Sequence, residues 1–227
     1  TPDRGQARVV AVGSRIGIGG TLAAGSCILP AGRLVMVVGR SGYCGLVRLE
    51  DDRIDVAAAL DRAAVARAGD AAAAVAALLE EASTPESCPQ PGADTIRAAA
   101  FHATPPLTRR APLVERAGRV FRVGDAAHYV EPFTGEGIGW GLTSARLLAA
   151  AMLASHGLRE PADAAARYVA GHHREFSTAF ARCRLVAATL RRPTVLAAAM
   201  AGARTLPWAA RVLAPAVVGS KSSGPGA

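Results

Sequence analysis

Val123-Gly124-Asp125-Ala126-Ala127-His128-Tyr129-Val130-Glu131-Pro132-Phe133-Thr134-Gly135-Glu136-Gly137-Ile138-Gly139 decides how this chain is read. The run opens after a short apolar stretch, Val120 to Val123, that reads as a buried strand. It closes into an apolar-periodic helix expected from about Gly135 to His156. A strand, a Gly-Asp turn and a Gly-rich helix start form an arrangement that holds an anionic or electron-rich ligand against backbone N–H groups.

The helix N-terminus carries free N–H groups and the positive end of the helix dipole, so it stabilises negative charge on a bound group. Gly135, Gly137 and Gly139 let the backbone come close to such a ligand, and Gly141 lets the helix pack tightly behind it. Pro132 stiffens the approach to the turn. Asp125, at the end of a strand, is positioned to accept hydrogen bonds from a sugar-like hydroxyl. Its plainer role is a cap on the Ala126 and Ala127 amides. Glu136, beside a positive helix end, is read first as a capping residue.

Outward from this run, the N-terminal half reads as a meander. Ala7 to Val12, Leu34 to Gly39, Tyr43 to Arg48 and Ile54 to Leu60 are strand-like, with short turns at Arg40-Ser41-Gly42 and Glu50 to Arg53. Short turns between consecutive strands argue for antiparallel pairing, since parallel neighbours need long crossovers. Asp61 to Ala82 is helical with a break at Gly69-Asp70, Ser83 to Ala93 is a loop, and residues 96–102 read as a strand. Thr104-Pro105-Pro106-Leu107 continues it in extended form. The C-terminal third reads as three helices, Pro161 to Leu190, Thr194 to Arg204 and Pro207 to Val218, punctuated by Pro193, Pro207 and Pro215.

Composition narrows the function classes. The net charge is +8, and Lys221 is the only lysine, so arginine supplies nearly all of the positive charge. The arginines are scattered and aromatic residues make up only 4%. The expectation is therefore no nucleic-acid partner, with peripheral contact to an acidic membrane surface as the alternative use of the charge. Cys27, Cys44, Cys88 and Cys183 form no Cys-x-x-Cys pair, so no metal site is expected. His172 and His173 read as a solvated helix face, and His128 as a packed turn residue. No Ser-His-Asp or Cys-His arrangement has spacing support, which leaves the catalytic residue unknown. Thr1-Pro2-Asp3-Arg4 has no apolar leader segment, and no transmembrane span is expected, Val195 to Val218 being interrupted by arginine and proline. The expected setting is cytoplasmic, with reduced thiols, or membrane-peripheral.

Gly124-Asp125-Ala126-Ala127-His128, then Pro132 and Gly135-x-Gly137, resembles the second flavin fingerprint of FAD-dependent oxidoreductases of the group A monooxygenase class. Tyr129 to Ile138 is most similar to the geranylgeranyl-reductase-like branch of that class. Gly42-Tyr43-Cys44-Gly45-Leu46-Val47 resembles the family's substrate-sheet segment, and Thr104 to Leu107 is also similar. The resemblance covers most of residues 7–190, with its specific core at 120–148.

The resemblance implies FAD as cofactor. It assigns Gly124, Asp125 and Ala126 to the ribityl chain, and Gly135, Glu136, Gly137 and Ile138 to the pyrimidine edge of the ring. Pro132 and Phe133 fall at the ring face, where oxygen or substrate arrives. Tyr43, read from the residues themselves, is either a substrate-facing polar group or a core-packing residue. One departure stands out. The class opens with a βαβ unit carrying Gly-x-Gly-x-x-Gly, whereas Gly13 to Gly20 has the wrong spacing for it and is assigned to the substrate sheet. The chain is accordingly expected to be the C-terminal part of a longer flavoprotein.

The expected fold is α+β. An antiparallel substrate-domain sheet is joined to the second half of a glutathione-reductase-like, three-layer FAD/NAD(P)-binding domain and to C-terminal helices. The expected boundaries are 1–110 for the sheet with its helical insert, 111–156 for the flavin-contacting strand-turn-helix, 157–218 for the helical region and 219–227 for a disordered tail. The expected activity is FAD-dependent oxidation or reduction of an apolar small molecule: hydroxylation with NAD(P)H as reductant, or saturation of an isoprenoid double bond. The alternative is a non-catalytic, truncated module acting as an interaction or membrane-surface domain through Arg182, Arg184, Arg191, Arg192, Arg204 and Arg211.

Overall fold

The structure is a computed structural model, and it describes residues 8–82, 90–116, 119–155 and 160–205. The elements run β1 (Val9–Val10), β2 (Ile16–Leu22), β3 (Leu34–Val38), β4 (Gly42–Arg48), β5 (Ile54–Leu60), α1 (Arg62–Ala68), α2 (Ala71–Glu81), α3 (Ala93–Ala98) and β6 (Phe101–Pro106). They continue with β7 (Arg109–Arg110), β8 (Val114–Glu115), β9 (Val120–Phe121), β10 (His128–Tyr129), α4 (Gly137–Ala154), α5 (Pro161–Leu190) and α6 (Pro193–Thr205). The fold is mixed helix and antiparallel strand, as expected from the sequence. Cys88, the expected helix Pro207 to Val218 and the tail lie outside the described residues.

The chain divides into two compact units, one of residues 11–107 with Leu190–Pro193, the other of residues 1–10, 108–189 and 194–227. The first unit is built on a five-stranded sheet ordered β3-β4-β5-β2-β6, with every adjacent pair antiparallel. Period-2 alternation sends Ile54, Val56, Ala58 and Leu60 of β5 to one face, where Ile18, Leu22, Cys44 and Leu46 join them. Val75, Leu78 and Leu79 of α2 and Ile96 of α3 complete this buried cluster. Gly17 to Gly20 lie in β2, within the sheet and not in a phosphate-holding turn.

Local chemistry explains the helices over this sheet. Asp70 caps α2 by accepting the Ala73 N–H at 2.8 Å, which produces the break at Gly69-Asp70. Residues 96–98, expected as strand, are instead helical. Gly92 supplies an extended cap, Asp94 sits in the first turn, and Ile96 is fully buried against α2. A single apolar residue at a helix–helix contact outweighs a weak strand pattern.

Asp61 occupies the N-cap position of α1, but its side chain caps nothing. Its carboxylate accepts from Arg15 Nε at 3.2 Å and from Arg191 Nη1 at 3.3 Å. Arg15 is 1% exposed, and its guanidinium lies 5.5 Å from the centre of the Tyr43 ring.

The second unit carries two small sheets, β1-β7-β10 and β8-β9, and the long helices α4, α5 and α6. The stretch expected as one buried strand, Val120 to Val123, is a two-residue half-buried strand paired with β8. Arg122 follows it and joins Glu115 in an ion pair at 2.7 Å, which keeps this hairpin near the surface. Val130, Phe176, Phe180 and Cys183 form a core, with Trp140 and Leu147 of α4 packed on it. The opposite face of α4 is open, with Ile138, Leu142 and Leu153 exposed. By length and composition α4 is also the one described helix that meets the minimum for a membrane span, a test that core helices pass as well.

Removing the carboxylate that faces Arg15 leaves a buried guanidinium short of its counter-ion. Asp61→Ala is expected to lower stability by about 2 kcal/mol, between the values for an exposed and a buried pair, because Asp61 itself is part-exposed. Asp61→Asn, which keeps an acceptor, should lose less. Urea unfolding of the three proteins measures this, and equal midpoints would exclude a structural role for the pair.

Candidate functional site

The Gly-Asp turn forms as a single 3-10 turn, Gly124–Ala126, in which the Ala127 N–H donates to the Gly124 carbonyl at 3.0 Å. Gly124 has φ +53°, and a Cβ there would lie 3.2 Å from the Gly141 Cα. Glycine at 124 therefore meets two demands together, a left-handed backbone and the close approach of α4.

Four groups hold the turn in place. The Gly124 N–H donates to Ser144 Oγ at 3.2 Å. Ser144 Oγ lies 2.9 Å from Tyr168 Oη, and the Tyr168 hydroxyl donates to the Arg122 carbonyl at 2.7 Å. Each hydroxyl has one proton. With the Tyr168 proton on Arg122, Ser144 donates to Tyr168 and accepts from Gly124. Ser144 and Tyr168 are fully buried, so every donor and acceptor in the chain is matched away from water.

Beyond the turn, His128 and Tyr129 pair with Arg110 and Arg109 of β7. Pro132–Thr134 forms a second 3-10 turn, and Gly135 at φ +71° redirects the chain into α4. At the head of α4, the N–H groups of Gly137, Ile138 and Gly139 have no partner within the helix, because the first intrahelical bond there runs from the Trp140 N–H to the Glu136 carbonyl at 3.0 Å.

A cavity of about 270 Å³ opens at this helix start. Asp125, Gly135, Glu136, Gly137 and Ile138 of the expected set line it, together with His128, Tyr129 and Trp140. Gly124, Ala126 and Phe133 belong to the adjoining turns and are not among the described residues of its wall, Pro132 begins the second of these turns, and Tyr43 is buried in the other compact unit, 3% exposed. A Cβ on Gly135 or Gly137 would meet nothing within 4 Å, so the backbone is bare on that side.

Of the three carboxylates in the motif, Asp125 and Glu136 depart from the capping roles expected of them. Asp125 is exposed and makes no side-chain capping bond to the turn. Glu136 stands at the N-cap position of α4 without a capping bond, and its carboxylate accepts instead from Cys183 Sγ at 3.7 Å. Burial first, then Asp125, raises the Tyr129 hydroxyl above its usual range.

The histidines depart from expectation more sharply. His172 is 7% exposed and packs against Tyr168, Phe176 and Phe180 on α5, whereas it had read as part of a solvated face. His128 stacks flat on Phe180, with centroids 3.9 Å apart and 9° between planes. Burial, followed by the charges of Arg184, His172 and Arg110, pushes His128 down to about 4. Burial, followed by His173, pushes His172 down to about 4 as well. Both rings are therefore neutral at pH 7. The signal for His172 was its spacing, since positions 168, 172, 176 and 180 recur every four residues along one helix face.

With this geometry in hand, the comparisons are specific. Residues 58–173, just over half of the 227-residue chain, match the family model of the FAD binding domain. A probable FAD-dependent monooxygenase, PqsL from Pseudomonas aeruginosa, superposes with a TM-score of 0.58 at 22% identity, over 86% of this chain and 53% of PqsL. The flavin-dependent brominase Bmp2 gives 0.62 at 13% identity, over 91% of this chain and 52% of Bmp2. The flavin-dependent halogenase CmlS gives 0.56 at 17% identity, over 75% and 32%. At these identities the likeness is one of fold, and the chain spans about half the length of PqsL and Bmp2. No curated protein sequence matches.

Breaking the hydroxyl chain orphans buried groups. Ser144→Ala and Tyr168→Phe should each lower stability by about 1–3 kcal/mol, and the double variant by less than the sum, because both act on one network. Denaturant unfolding of the set tests this, and strictly additive losses would dissolve the network. The histidines set an acid limit as well. Their folded-state pKa values lie below 6.5, so the unfolded chain takes up more protons and stability falls as pH drops from 6.5 toward 4. Thermal midpoints between pH 6.5 and 5 should fall in the wild type and flatten in His172→Leu. Parallel slopes would remove His172 from the explanation.

Proposed function

Because the chain belongs to the FAD binding domain family, we propose that the cavity at the start of α4 receives the ring end of FAD, within a longer flavoprotein that oxidises or reduces an apolar small molecule. One observation carries this reading: an exposed carboxylate and the unpartnered N–H groups of a helix N-terminus open onto one cavity whose glycine backbone is bare. The residues fit the group. Asp125 accepts from ribityl hydroxyls, and Gly124 and Ala126 hold it at the tip of the turn. Gly135, Glu136, Gly137 and Ile138 bring backbone N–H groups to the pyrimidine edge, where negative charge is stabilised by the helix dipole. FAD, when bound, supplies the electron transfer, and the protein supplies orientation and electrostatics.

Pro132 and Phe133 would border the ring face, with Tyr43, buried in the other unit, kept as the further candidate for substrate contact. In this reading the reaction is a hydroxylation with NAD(P)H as reductant, which the monooxygenase-like fold supports. The string Pro132-Phe133-Thr134-Gly135-Glu136-Gly137-Ile138 favours a second reading, saturation of an isoprenoid double bond in the manner of the geranylgeranyl-reductase-like branch. In both cases the ADP half of the cofactor falls to a Gly-x-Gly-x-x-Gly unit outside this sequence, and the setting is cytoplasmic or membrane-peripheral.

Titration of the purified chain into FAD and into riboflavin should quench flavin fluorescence in both cases, since the ring end is common to the two. Asp125→Ala should weaken the effect at least about tenfold, or about 1.4 kcal/mol. Quenching by neither flavin, or an unchanged midpoint in Asp125→Ala, refutes the assignment.

A further inference from the structure

The cavity at the start of α4 carries a charge opposite to that of the helix end that opens onto it. Asp125, Glu131 and Glu136 line it, and among the described residues no arginine or lysine does. The neighbouring cations are engaged elsewhere. The Arg109 guanidinium lies 4.8 Å from the centre of the Tyr129 ring, and Arg182 acts through its charge on Cys183. Arg110 and Arg184 line a separate cavity of about 380 Å³ that shares only His128 with this one. Burial, followed by Arg184, His172 and Arg110, pushes His128 down to about 4, so that ring brings no positive charge at pH 7. The Tyr129 hydroxyl, raised above its usual range, is uncharged as well.

Glu136 has the most direct bearing on a ligand here, because it stands at the N-cap position of α4. A carboxylate that capped the helix would occupy its first N–H groups. Glu136 leaves them open and accepts from Cys183 Sγ at 3.7 Å. With the single thiol proton directed to Glu136, the Thr134 hydroxyl, 3.4 Å from the same sulfur, donates to Cys183. Cys183 is 3% exposed in the core with Phe176 and Phe180, so this chain fixes the carboxylate beside the helix start.

The helix end alone contributes roughly half a positive charge and favours an anion; a full negative charge beside it reverses the balance. In water a reduced flavin loses the proton on its pyrimidine edge near neutrality, and a fixed negative charge next to that edge makes the proton harder to lose. Resting on the flavin reading, we propose that Glu136, positioned by Cys183, keeps the pyrimidine edge uncharged, so that at neutral pH the bound ring takes up two electrons and two protons instead of two electrons and one. A hydride from the nicotinamide reductant supplies both electrons and one proton, and solvent supplies the other.

The test is the midpoint potential of riboflavin bound to the full chain, followed spectroelectrochemically from about pH 6 to 8 with the chain in excess. In the wild type the slope should correspond to two protons per two electrons throughout. Glu136→Gln should fall to one proton above neutrality and raise the potential at pH 8 by about 30 mV or more, a tenfold gain for the reduced over the oxidised ring. Cys183→Ala should move the potential the same way by less, and Cys183→Ser, which keeps a donor, should restore it. Equal potentials in Cys183→Ala and Cys183→Ser overturn the positioning role, because a packing defect alone affects both. A one-proton slope in the wild type, or equal potentials in the wild type and Glu136→Gln, overturns the role of Glu136 while flavin binding stands. Loss of riboflavin from Glu136→Gln overturns it too, since the carboxylate then holds the ring and does not set its charge. Failure of the wild-type chain to quench riboflavin overturns the flavin reading itself, and this role with it.

Discussion

The bonds running from the Gly124 amide through the Ser144 and Tyr168 hydroxyls to the Arg122 carbonyl are the constraint on which this site depends. They tie one turn to two helices at once. The turn itself is short and carries a left-handed glycine, so nothing local would hold it open in one orientation. The anchors lie 20 and 46 residues away in sequence. Tyr168 belongs to α5, so the register of that helix and the aim of Asp125 are coupled through a single hydroxyl.

The same helix builds the rest of the unit. Tyr168, His172, Phe176 and Phe180 fall on one face of α5, where Phe176 and Phe180 meet Trp140 edge-on and Phe180 stacks on His128. This aromatic ladder gives two neighbouring cavities a common wall, His128. Burial pushes that ring down to about 4, so at pH 7 it adds no charge to either cavity. In the other unit, the buried Arg15 at the start of β2 plays the matching organising role, drawing Asp61 away from its cap.

Much of this was legible beforehand. The strands Leu34–Val38, Gly42–Arg48 and Ile54–Leu60, the paired helices broken at Gly69-Asp70 and the long helix from Pro161 to Leu190 follow from alternation, periodicity, caps and proline. Five residues of the expected cofactor-binding set, Asp125, Gly135, Glu136, Gly137 and Ile138, share the wall of one cavity. Other features were hidden for physical reasons. The helix Ala93–Ala98 depends on a single buried isoleucine meeting α2, which no local pattern announces. Glu136 looked like a cap because the sequence does not reveal Cys183 opposite it. His172 looked solvated because its neighbours Arg174 and Glu175 are charged, although helical geometry turns them to another face.

By itself the sequence determined most element types, the antiparallel character of the sheet and the backbone chemistry of the ligand-facing turn, since these rest on local sterics and period. Only the tertiary structure decided which polar groups meet: Ser144 with Gly124, Ser144 with Tyr168, and Asp61 with Arg15. The reason is distance along the chain. Hydrogen bonds and charges act over a few ångströms, and the partners that matter here are separated by tens of residues that only packing brings together.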